Sequence, residues 1–265
     1  MDPGDGTLPG LSIFVTGASS GIGRALARHY ARRGAALGLV ARRGDELAAL
    51  AAELAAAGAP DVFIYPLDVT DADALQAAGD DFMARAGVPD IVVANAGISQ
   101  GTLTEYREDL AVIRRILEVN VYGMAATFAP FIAPMRGRGQ GRLAGIASVA
   151  GIRGLPGAEA YSASKAAAIA YLESLRVELF GSGIRVVSIA PGFIATPMTA
   201  RNPYPMPFLL SADEAARRFA RAIERGASYT VIPWPMGIVA KGLRLLPNRL
   251  YDWLFARVPR KPRLS

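Results

Sequence analysis

The sequence predicts a doubly wound α/β fold, in which a parallel seven-stranded sheet carries helices on both faces. Seven short apolar runs recur along the chain, and most of them do not alternate with polar residues. Alanine-rich amphipathic stretches separate these runs. Nearly continuous apolar strands are typical of parallel sheets that are buried on both faces, and a helix between successive strands supplies the right-handed crossover that such sheets need.

The individual elements follow from hydrophobic periodicity. The first three helices are predicted at 24–33, 46–57 and 72–86, where apolar residues return at helical spacing. Residues 197–210, PMTARNPYPMPFLL, contain too many prolines for a long helix and predict an irregular excursion over the sheet. The seven predicted strands are 11–15, 36–41, 62–65, 91–94, 143–147, 186–190 and 229–232.

The composition is that of an ordinary globular protein, since 52% of the 265 residues are hydrophobic and 20% are charged. The chain has no cysteine, which excludes disulfides and thiolate chemistry, and its single histidine, His29, leaves no cluster for a metal. The first ten residues lack the basic start and apolar core of a signal peptide. No uncharged apolar run reaches the ~18 residues of a membrane-spanning helix. We therefore expect a soluble cytoplasmic protein.

The net charge of +6 comes from the C-terminal tail. Residues 241–265 carry seven basic side chains and one acidic side chain, Asp252, so the remaining chain is balanced and offers no basic stripe for nucleic acid. Apolar residues recur there at helical spacing, and Pro247 divides the segment into two short helices. This basic amphipathic extension, 233–265, either lies on the inner face of an anionic membrane or packs on its own body or a partner subunit.

A glycine-rich turn, TGASSGIG, lies between the first predicted strand and the first helix. Its glycines let the backbone turn tightly and let main-chain N–H groups at the helix N-terminus face a pyrophosphate. Glycines alone would also suit a plain turn, but the position between strand and helix favours a nucleotide site. The predicted binding residues are Gly17, Ser19, Ser20, Gly21, Ile22 and Gly23.

Two arginines after the second predicted strand indicate which nucleotide binds. Dinucleotide folds commonly place an acid here that binds the ribose hydroxyls, whereas this chain has Arg42 and Arg43. A guanidinium can bind a 2′-phosphate, which a carboxylate would repel. NADP(H) is therefore favoured over NAD(H). A pair of solvated arginines would give the same sequence, so NAD(H) remains the alternative.

Two more segments are predicted to contact the cofactor. In LDVTD, Asp68 and Val69 follow the third strand, where the carboxylate can accept a hydrogen bond from the adenine amine. In ANAG, the fourth strand is followed by Asn95, Ala96 and Gly97, and the glycine allows a close approach to the cofactor.

A tyrosine and a lysine stand four residues apart in EAYSASKAAAIA. On a helix, Tyr161 and Lys165 share one face. A phenol has an ordinary pKa near ~10, and a neighbouring ammonium lowers that pKa, which makes the phenol a better acid–base group at neutral pH. By itself the pair is a common coincidence, because a packing tyrosine and an exposed lysine have the same spacing.

Other polar residues accompany this pair. Ser148 follows the fifth predicted strand, and Pro191 and Gly192 follow the sixth, so all three are expected at the carboxyl edge of the sheet, where open α/β folds bind ligands. Asn120 is a polar interruption in an apolar helical segment, which a capping or kink role would also explain.

In order and separation, TGASSGIG, NAG, Asn120, Ser148, YSASK and PGFIAT resemble the short-chain dehydrogenase/reductase family. The resemblance extends over about residues 11–232. It implies a Rossmann-type fold, a dinucleotide-binding catalytic domain over 1–232, and hydride transfer between a nicotinamide and a carbonyl or secondary alcohol. One departure is Ala94, where the family often has an asparagine, which puts a local hydrogen bond in doubt.

The resemblance also implies a role for each matching residue. Tyr161 exchanges the substrate proton, and Lys165 lowers the pKa of that tyrosine and holds the nicotinamide ribose. Ser148 binds the carbonyl oxygen, and Asn120 supports a water relay to Lys165. The residues implied to cover the nicotinamide are Pro191, Gly192, Ile194 and Thr196.

The substrate is predicted to be a large hydrophobic ketone or alcohol, because the expected wall is mostly apolar. The family habit implies a homodimer or homotetramer. A catalytically silent, nucleotide-sensing relative is the alternative, but it would leave the Asn–Ser–Tyr–Lys set unexplained. The wall residues are Ile152, Leu155, Met198, Tyr204, Met206 and Phe208, with Gln100, Arg153 and Arg201 as candidate polar contacts.

Overall fold

The computed structural model describes residues 10–200 and 202–263, and a parallel sheet forms its centre. The strands are β1 (Ser12–Thr16), β2 (Ala36–Ala41), β3 (Val62–Pro66), β4 (Ile91–Ala94), β5 (Gly141–Ile146), β6 (Ile184–Pro191), β7 (Ile194–Ala195), β8 (Leu210–Ser211) and β9 (Tyr229–Ile232). Seven of them pair in the order β3-β2-β1-β4-β5-β6-β9, with every neighbouring pair parallel. The predicted seven-stranded, doubly wound sheet is confirmed.

Helices cover both faces of this sheet, and each face has its own apolar core. On one face Leu26 and Tyr30 pack with Phe219, and on the other Phe82 and Phe131 pack around Phe14. A π-helical turn, Glu118–Tyr122, joins the fourth and fifth helices. The helices are α1 (Gly21–Ala31), α2 (Gly44–Ala56), α3 (Ala72–Ala86), α4 (Asp109–Leu117), α5 (Gly123–Arg138), α6 (Glu159–Glu178), α7 (Ala212–Arg225), α8 (Trp234–Leu245) and α9 (Asn248–Phe255).

The strand order reverses between β1 and β4, and this reversal determines where a ligand can enter. The chain leaves β1 toward β2 in one direction and later returns to add β4 on the opposite side of β1. The connections after these two strands therefore diverge and leave a crevice at the carboxyl edge of the sheet. All the predicted site segments that follow a strand are directed to this edge.

The excursion after β6 differs in detail from the prediction. Two short strands that the sequence did not predict, β7 and β8, pair in parallel, with Ile194 opposite Leu210 and Ala195 opposite Ser211. They bring the two ends of the 197–210 excursion together. A strand of two residues has no periodicity, so pattern reading does not detect it.

Among the residues that the structure describes, one helical stretch is long and apolar enough to cross a membrane. It is Asp109–Arg138, and more than half of its apolar 18-residue part is buried inside the fold. Met124, Phe128 and Phe131 of this stretch belong to the core beside β4. The core helix of a globular domain satisfies the same length and hydropathy test, so core packing accounts for this stretch.

The C-terminal tail forms two helices, α8 and α9, on either side of Pro247, as expected. They are attached to the body by Arg153, whose guanidinium donates to the carbonyl oxygens of Leu243 and Leu246 and lies 3.9 Å from the centroid of the Tyr251 ring. Tyr251 in turn donates to the carbonyl oxygen of Gly154 at 2.6 Å.

Arg153 therefore holds the tail, and its prediction as a polar contact for the substrate is wrong. Its hydrogen bonds go to the free carbonyl groups at the end of α8, which a guanidinium is well suited to satisfy. Arg201 lies outside the described residues. The division of the chain at 232 into a catalytic domain and an extension stays a prediction.

Candidate active site

The glycine-rich turn between β1 and α1 has the close contacts that only glycine permits. Gly17 has a φ of +66°, and a Cβ on it would lie 2.8 Å from the Ala96 Cα. A Cβ on Gly23 would lie 2.3 Å from the carbonyl oxygen of Gly17. Gly17 lines the crevice, whereas Gly23 does not and instead lets α1 pack against the turn. A backbone exposed in this way at a helix N-terminus is suited to a pyrophosphate.

Asn95 fixes the position of this turn. Its Nδ2 donates to the carbonyl oxygens of Thr16 and Gly17 at 3.0 and 3.2 Å. The Thr16 hydroxyl accepts from the backbone N–H groups of Asn95 and Ala96 at 3.2 and 3.3 Å. Asn95 lines the crevice as predicted, but its amide N–H groups hold the carboxyl ends of β1 and β4 together.

The two arginines after β2 lie at the rim of the same crevice. Arg43 donates to the Ser19 hydroxyl at 3.0 Å and pairs with Glu46 at 3.0 Å. Arg42 is 3.9 Å from the nearest carboxylate oxygen of Asp68, and its side chain is 66% exposed. Both guanidinium groups are thus held near the turn while remaining accessible to a ligand.

Asp68 also lines the crevice, and sequence reasoning missed its main partner. Arg115 of α4 donates to its carboxylate and to the Thr70 hydroxyl, the latter at 3.0 Å. Burial opposes ionisation of Asp68, but hydrogen bonds from Thr70 and Arg115 outweigh it and hold the pKa of the carboxyl below its usual range. Arg115 and Asp68 are 47 residues apart, so no local pattern indicates this pair.

Tyr161, Lys165 and Ser148 meet at the crevice, which has a volume of about 380 Å³. The Lys165 Nζ lies 5.8 Å from the Tyr161 ring centroid and donates to the carbonyl oxygen of Ile146 at 2.8 Å. Ser148 caps the turn after β5, where its Oγ accepts from the Ala150 N–H at 3.1 Å. The i and i+4 positions of α6 thus face the end of β5, as the spacing predicts.

The electrostatics of this group differ from the expectation. Burial raises the pKa of Tyr161, and its hydrogen bond with Ser148 offsets that rise only in part. Burial also lowers the pKa of Lys165 to about 8. The expected net lowering of the Tyr161 pKa is therefore wrong for this arrangement, because desolvation outweighs the hydrogen bond with Ser148. At neutral pH the phenol holds its proton and is ready to donate it.

Asn120 lies behind this group in the π-helical turn and is fully buried. Its Oδ1 accepts from the Ile98 N–H at 2.8 Å, and its Nδ2 donates to the Ile98 carbonyl oxygen and the Ser164 hydroxyl, both at 2.9 Å. A Cβ on Gly97 would lie 3.3 Å from this Oδ1 and 3.5 Å from the Lys165 Nζ. Asn120 is thus beside the lysine without lining the crevice.

The crevice brings together most of the predicted residues. All the predicted cofactor-binding and catalytic residues line it except Gly23 and Asn120. Of the six predicted wall residues, Met198 lines it, and the others do not. Sequence reasoning missed several contributors that lie beside predicted residues or on other elements: Ala41, Leu67, Ile98, Arg115, Val119, Ile146, Ala147, Pro197 and Thr199.

Comparison with known proteins identifies the family. A family model described as short chain dehydrogenase matches residues 12–205. This chain belongs to the short-chain dehydrogenase family. It is therefore an NAD(P)-dependent oxidoreductase that acts on CH–OH groups of a small-molecule substrate.

Two relatives cover most of the chain. A Myxococcus xanthus protein described as an uncharacterized oxidoreductase is 44% identical over 91% of this chain and 94% of its own length. The 11-beta-hydroxysteroid dehydrogenase-like 2 of Arabidopsis thaliana is 35% identical over 84% of this chain and 74% of its own length.

Two solved short-chain dehydrogenase structures are similar to this one and hold different nucleotides. The Mycobacterium paratuberculosis enzyme bound to NAD has a TM-score of 0.76 and 26% identity over 85% of this chain and 97% of its own. The Thermococcus sibiricus alcohol dehydrogenase complexed with 5-hydroxy-NADP has a TM-score of 0.74 and 29% identity over 84% of this chain and 95% of its own.

We expect ketone reduction to slow as pH rises through about 8, by about tenfold per further unit. The lowered pKa of Lys165 means that its ammonium loses a proton in this range, whereas the raised pKa of Tyr161 keeps the phenol protonated. The measurement is kcat against pH from 6 to 10. Any residual activity of Lys165→Arg should show no such decline, because a guanidinium stays charged. A wild-type profile that is level up to pH 10 would contradict a dependence of the rate on the charge of Lys165.

Proposed function

We propose that this short-chain dehydrogenase uses NADP(H) to reduce a hydrophobic ketone, or to oxidise the matching secondary alcohol, with Tyr161 as the general acid–base. The observation that carries the proposal is that Tyr161, Ser148 and Lys165 line the same crevice as the glycine-rich turn at Gly17. The Gly17 turn supports binding of a dinucleotide, since its backbone is open where a Cβ would be excluded.

The side chains of Tyr161 and Ser148 carry out the proton transfer and stabilise the charge on the substrate oxygen. A bound nicotinamide would supply the hydride in reduction and accept it in oxidation. The Tyr161 hydroxyl donates its proton to the carbonyl oxygen as the carbonyl carbon receives the hydride, so the product is the neutral alcohol. The Ser148 hydroxyl donates a hydrogen bond to the same oxygen and stabilises the charge that develops there. In oxidation the same groups act in reverse.

Lys165 and Asn120 support this proton transfer without being its donor or acceptor. The Lys165 ammonium stabilises a phenolate that forms after Tyr161 gives up its proton. Asn120 has used both amide N–H groups on Ile98 and Ser164, and its Oδ1 has one further lone pair beside Lys165. We assign Asn120 as a positioning residue that holds a water relay to Lys165.

Tyr161→Phe is expected to lower kcat by about 100-fold or more, because it removes the only atom of this side chain that can transfer a proton. Oxidation and reduction are followed by absorbance of the reduced nicotinamide across a panel of ketones and alcohols. Tyr204→Phe is the matched control, since Tyr204 lies close enough to affect the Tyr161 pKa. It should retain activity.

Calorimetric titration with the nucleotide separates loss of chemistry from loss of folding. Tyr161→Phe should bind the nucleotide as the wild type does. Undiminished turnover in this variant would remove the proposed role of Tyr161. Nucleotide binding by a wild type that turns over no substrate would favour the silent, nucleotide-sensing alternative.

The preference for NADP(H) rests on the positions of Arg42 and Arg43. Both line the crevice on the side of the glycine-rich turn, and the Arg43 contact with Ser19 directs its guanidinium toward that turn. Two guanidinium groups can chelate a 2′-phosphate through charge-assisted hydrogen bonds. Asp68, the acid 3.9 Å from Arg42, is already paired with Arg115, and Glu46 pairs with Arg43 at 3.0 Å.

Replacing Arg42 or Arg43 with alanine is expected to raise the KM for NADPH by about 10- to 100-fold, the usual effect of losing a charge-assisted hydrogen bond. The KM for NADH should change little, because NADH has no 2′-phosphate. Arg32→Ala, an exposed arginine outside the crevice, is the control. Equal effects on both nucleotides, or a wild type that prefers NADH, would favour the NAD(H) alternative.

A hydrophobic substrate is supported by Met198 in the crevice and by the hydroxysteroid dehydrogenase name of the Arabidopsis relative. The aromatic pair Phe193 and Tyr204, with ring centroids 6.3 Å apart, extends apolar surface over the excursion after β6. A fairly large ketone or secondary alcohol, lipid- or steroid-like, matches such surroundings.

We further propose that this enzyme is cytoplasmic and contacts the inner face of a membrane through α8 and α9. Trp234, Leu245 and Trp253 are 70%, 84% and 75% exposed. Four basic residues accompany them, namely Lys241, Arg244, Arg249 and Arg257. Exposed tryptophans beside basic side chains are suited to an anionic lipid surface.

The wild type is expected to sediment with phosphatidylglycerol vesicles and much less with phosphatidylcholine vesicles. Trp234→Ser/Trp253→Ser should lose this sedimentation while keeping its activity, because neither side chain lines the crevice. Equal sedimentation of the two forms would contradict a membrane contact.

We propose that the protein forms a homodimer or homotetramer, and light scattering gives the number of subunits. A molecular mass that falls in the double variant would assign the exposed surface of α8 and α9 to contact with a second copy.

A further inference from the structure

The last described residues, 260–263, form a segment that we call the C-terminal strap, and it is fixed to the body at its far end. Arg263 donates to Asp109 at 2.8 Å and to Glu108 at 3.0 Å, and its guanidinium lies 3.5 Å from the Tyr106 ring centroid. The carbonyl oxygen of Pro262 accepts from the Gly101 N–H at 3.2 Å. These contacts place the strap against the loop that follows β4.

Two glycines of the body make room for the strap. A Cβ on Gly101 would lie 2.3 Å from the Lys261 carbonyl oxygen and 2.7 Å from that of Pro262. A Cβ on Gly157, just before α6, would lie 2.7 Å from the Arg260 Cβ. The strap therefore passes between the loop after β4 and the start of α6, where any larger side chain would displace it.

This path brings Lys261 beside the catalytic tyrosine. Its Nζ donates to the Ser99 hydroxyl at 2.7 Å and lies 5.8 Å from the Tyr161 ring centroid. The Lys165 Nζ lies at the same distance from that centroid. Tyr161 is therefore accompanied by two ammonium groups, and only the one from α6 belongs to the Tyr-x-x-x-Lys spacing.

Lys261 lacks an acidic partner among residues 10–200 and 202–263, since its one side-chain hydrogen bond goes to a neutral hydroxyl. Its neighbour Arg263, by contrast, pairs with two carboxylates. Burial alone lowers the pKa of Lys261, with no carboxylate to oppose it. A partly buried ammonium without a counter-charge is costly, and an anion bound beside it would offset that cost.

We propose that Lys261 is a specificity-determining residue that binds the carboxylate of an oxo acid, or of the matching hydroxy acid, whose ketone or alcohol group meets Tyr161. This inference rests on the proposed ketone reduction and specifies its substrate class. The substrate then has an apolar body with a carboxylate at the end that faces the strap.

The donors present match a carboxylate better than a phosphate. Ser99 accepts from Lys261 and so keeps its own O–H for a second acceptor. One ammonium and one hydroxyl can thus bind the two oxygens of a singly charged carboxylate. A phosphate would bring more charge and a third oxygen, for which the strap contacts named above provide no further free donor.

The test compares oxo acids with their methyl esters, which have the same ketone but no charge. The three oxo acids are levulinate, oxocyclohexanecarboxylate with the ketone opposite the carboxylate, and dehydrolithocholate. Each acid is compared with its own methyl ester. The wild type should prefer at least one acid over its ester by about 10-fold or more in kcat/KM, as expected for a charge-assisted hydrogen bond.

Lys261→Met should abolish this preference by raising the KM for the acid, while kcat/KM for the ester changes by less than about threefold. Lys261→Arg should retain the preference, because the charge remains. A wild type that treats acid and ester alike would overturn the proposal. Equal losses on acid and ester in Lys261→Met would overturn it too, because they would indicate a structural role.

A second variant moves the strap without altering Lys261. Gly101→Ala inserts a methyl group where the strap carbonyls lie and should reduce the acid preference as Lys261→Met does. Gly154→Ala, where an added Cβ meets nothing within 4 Å, is the control and should leave the preference unchanged. An unaltered preference in Gly101→Ala would exclude the strap as the source of specificity.

Binding measurements keep this inference separate from the proposed function. If no ketone of the panel is reduced with either nucleotide, the proposed reduction fails, and calorimetry with the same acids and esters decides the role of Lys261. Tighter binding of an acid than of its ester, lost in Lys261→Met, supports the carboxylate site. Equal binding of acid and ester in the wild type, or no binding of either, overturns it.

Discussion

The hydrogen bonds between the carboxyl ends of β1 and β4 are the constraint on which the rest of the site depends. Thr16 and Asn95 join these ends directly, and Gly17 packs so closely on Ala96 that a methyl group would be excluded. The glycine-rich turn is thereby held open toward the crevice instead of closing over its own helix. The arginines at the rim and Tyr161 and Lys165 of α6 line the same crevice as this junction.

Burial dominates the electrostatics of the catalytic group. It raises the pKa of Tyr161 and lowers that of Lys165, which are the directions expected when a charged form loses water. A pattern of tyrosine and lysine at helical spacing suggests the opposite shift for the phenol, because it counts the ammonium and leaves out desolvation. The resulting state, a protonated phenol beside a lysine whose pKa is lowered to about 8, is suited to proton donation.

The C-terminal tail combines two surfaces of different chemistry. Arg153 and Tyr251 attach its helices to the body, which leaves exposed tryptophans beside basic side chains on the outside. Beyond the helices, Arg263 anchors the strap and brings Lys261 next to Tyr161. The extension after residue 232 thus provides both a proposed membrane contact and a proposed part of the substrate site.

The sequence by itself determined the parallel sheet, the glycine-rich turn and the shared face of Tyr161 and Lys165, because strand, turn and helix spacing are local properties that neighbouring residues encode. It did not determine that Arg115 pairs with Asp68, that Arg153 holds the tail, or that Lys261 reaches Ser99 across 162 residues. Such contacts have no period and no fixed separation. They exist only once packing brings distant segments together, so only the tertiary structure decided them.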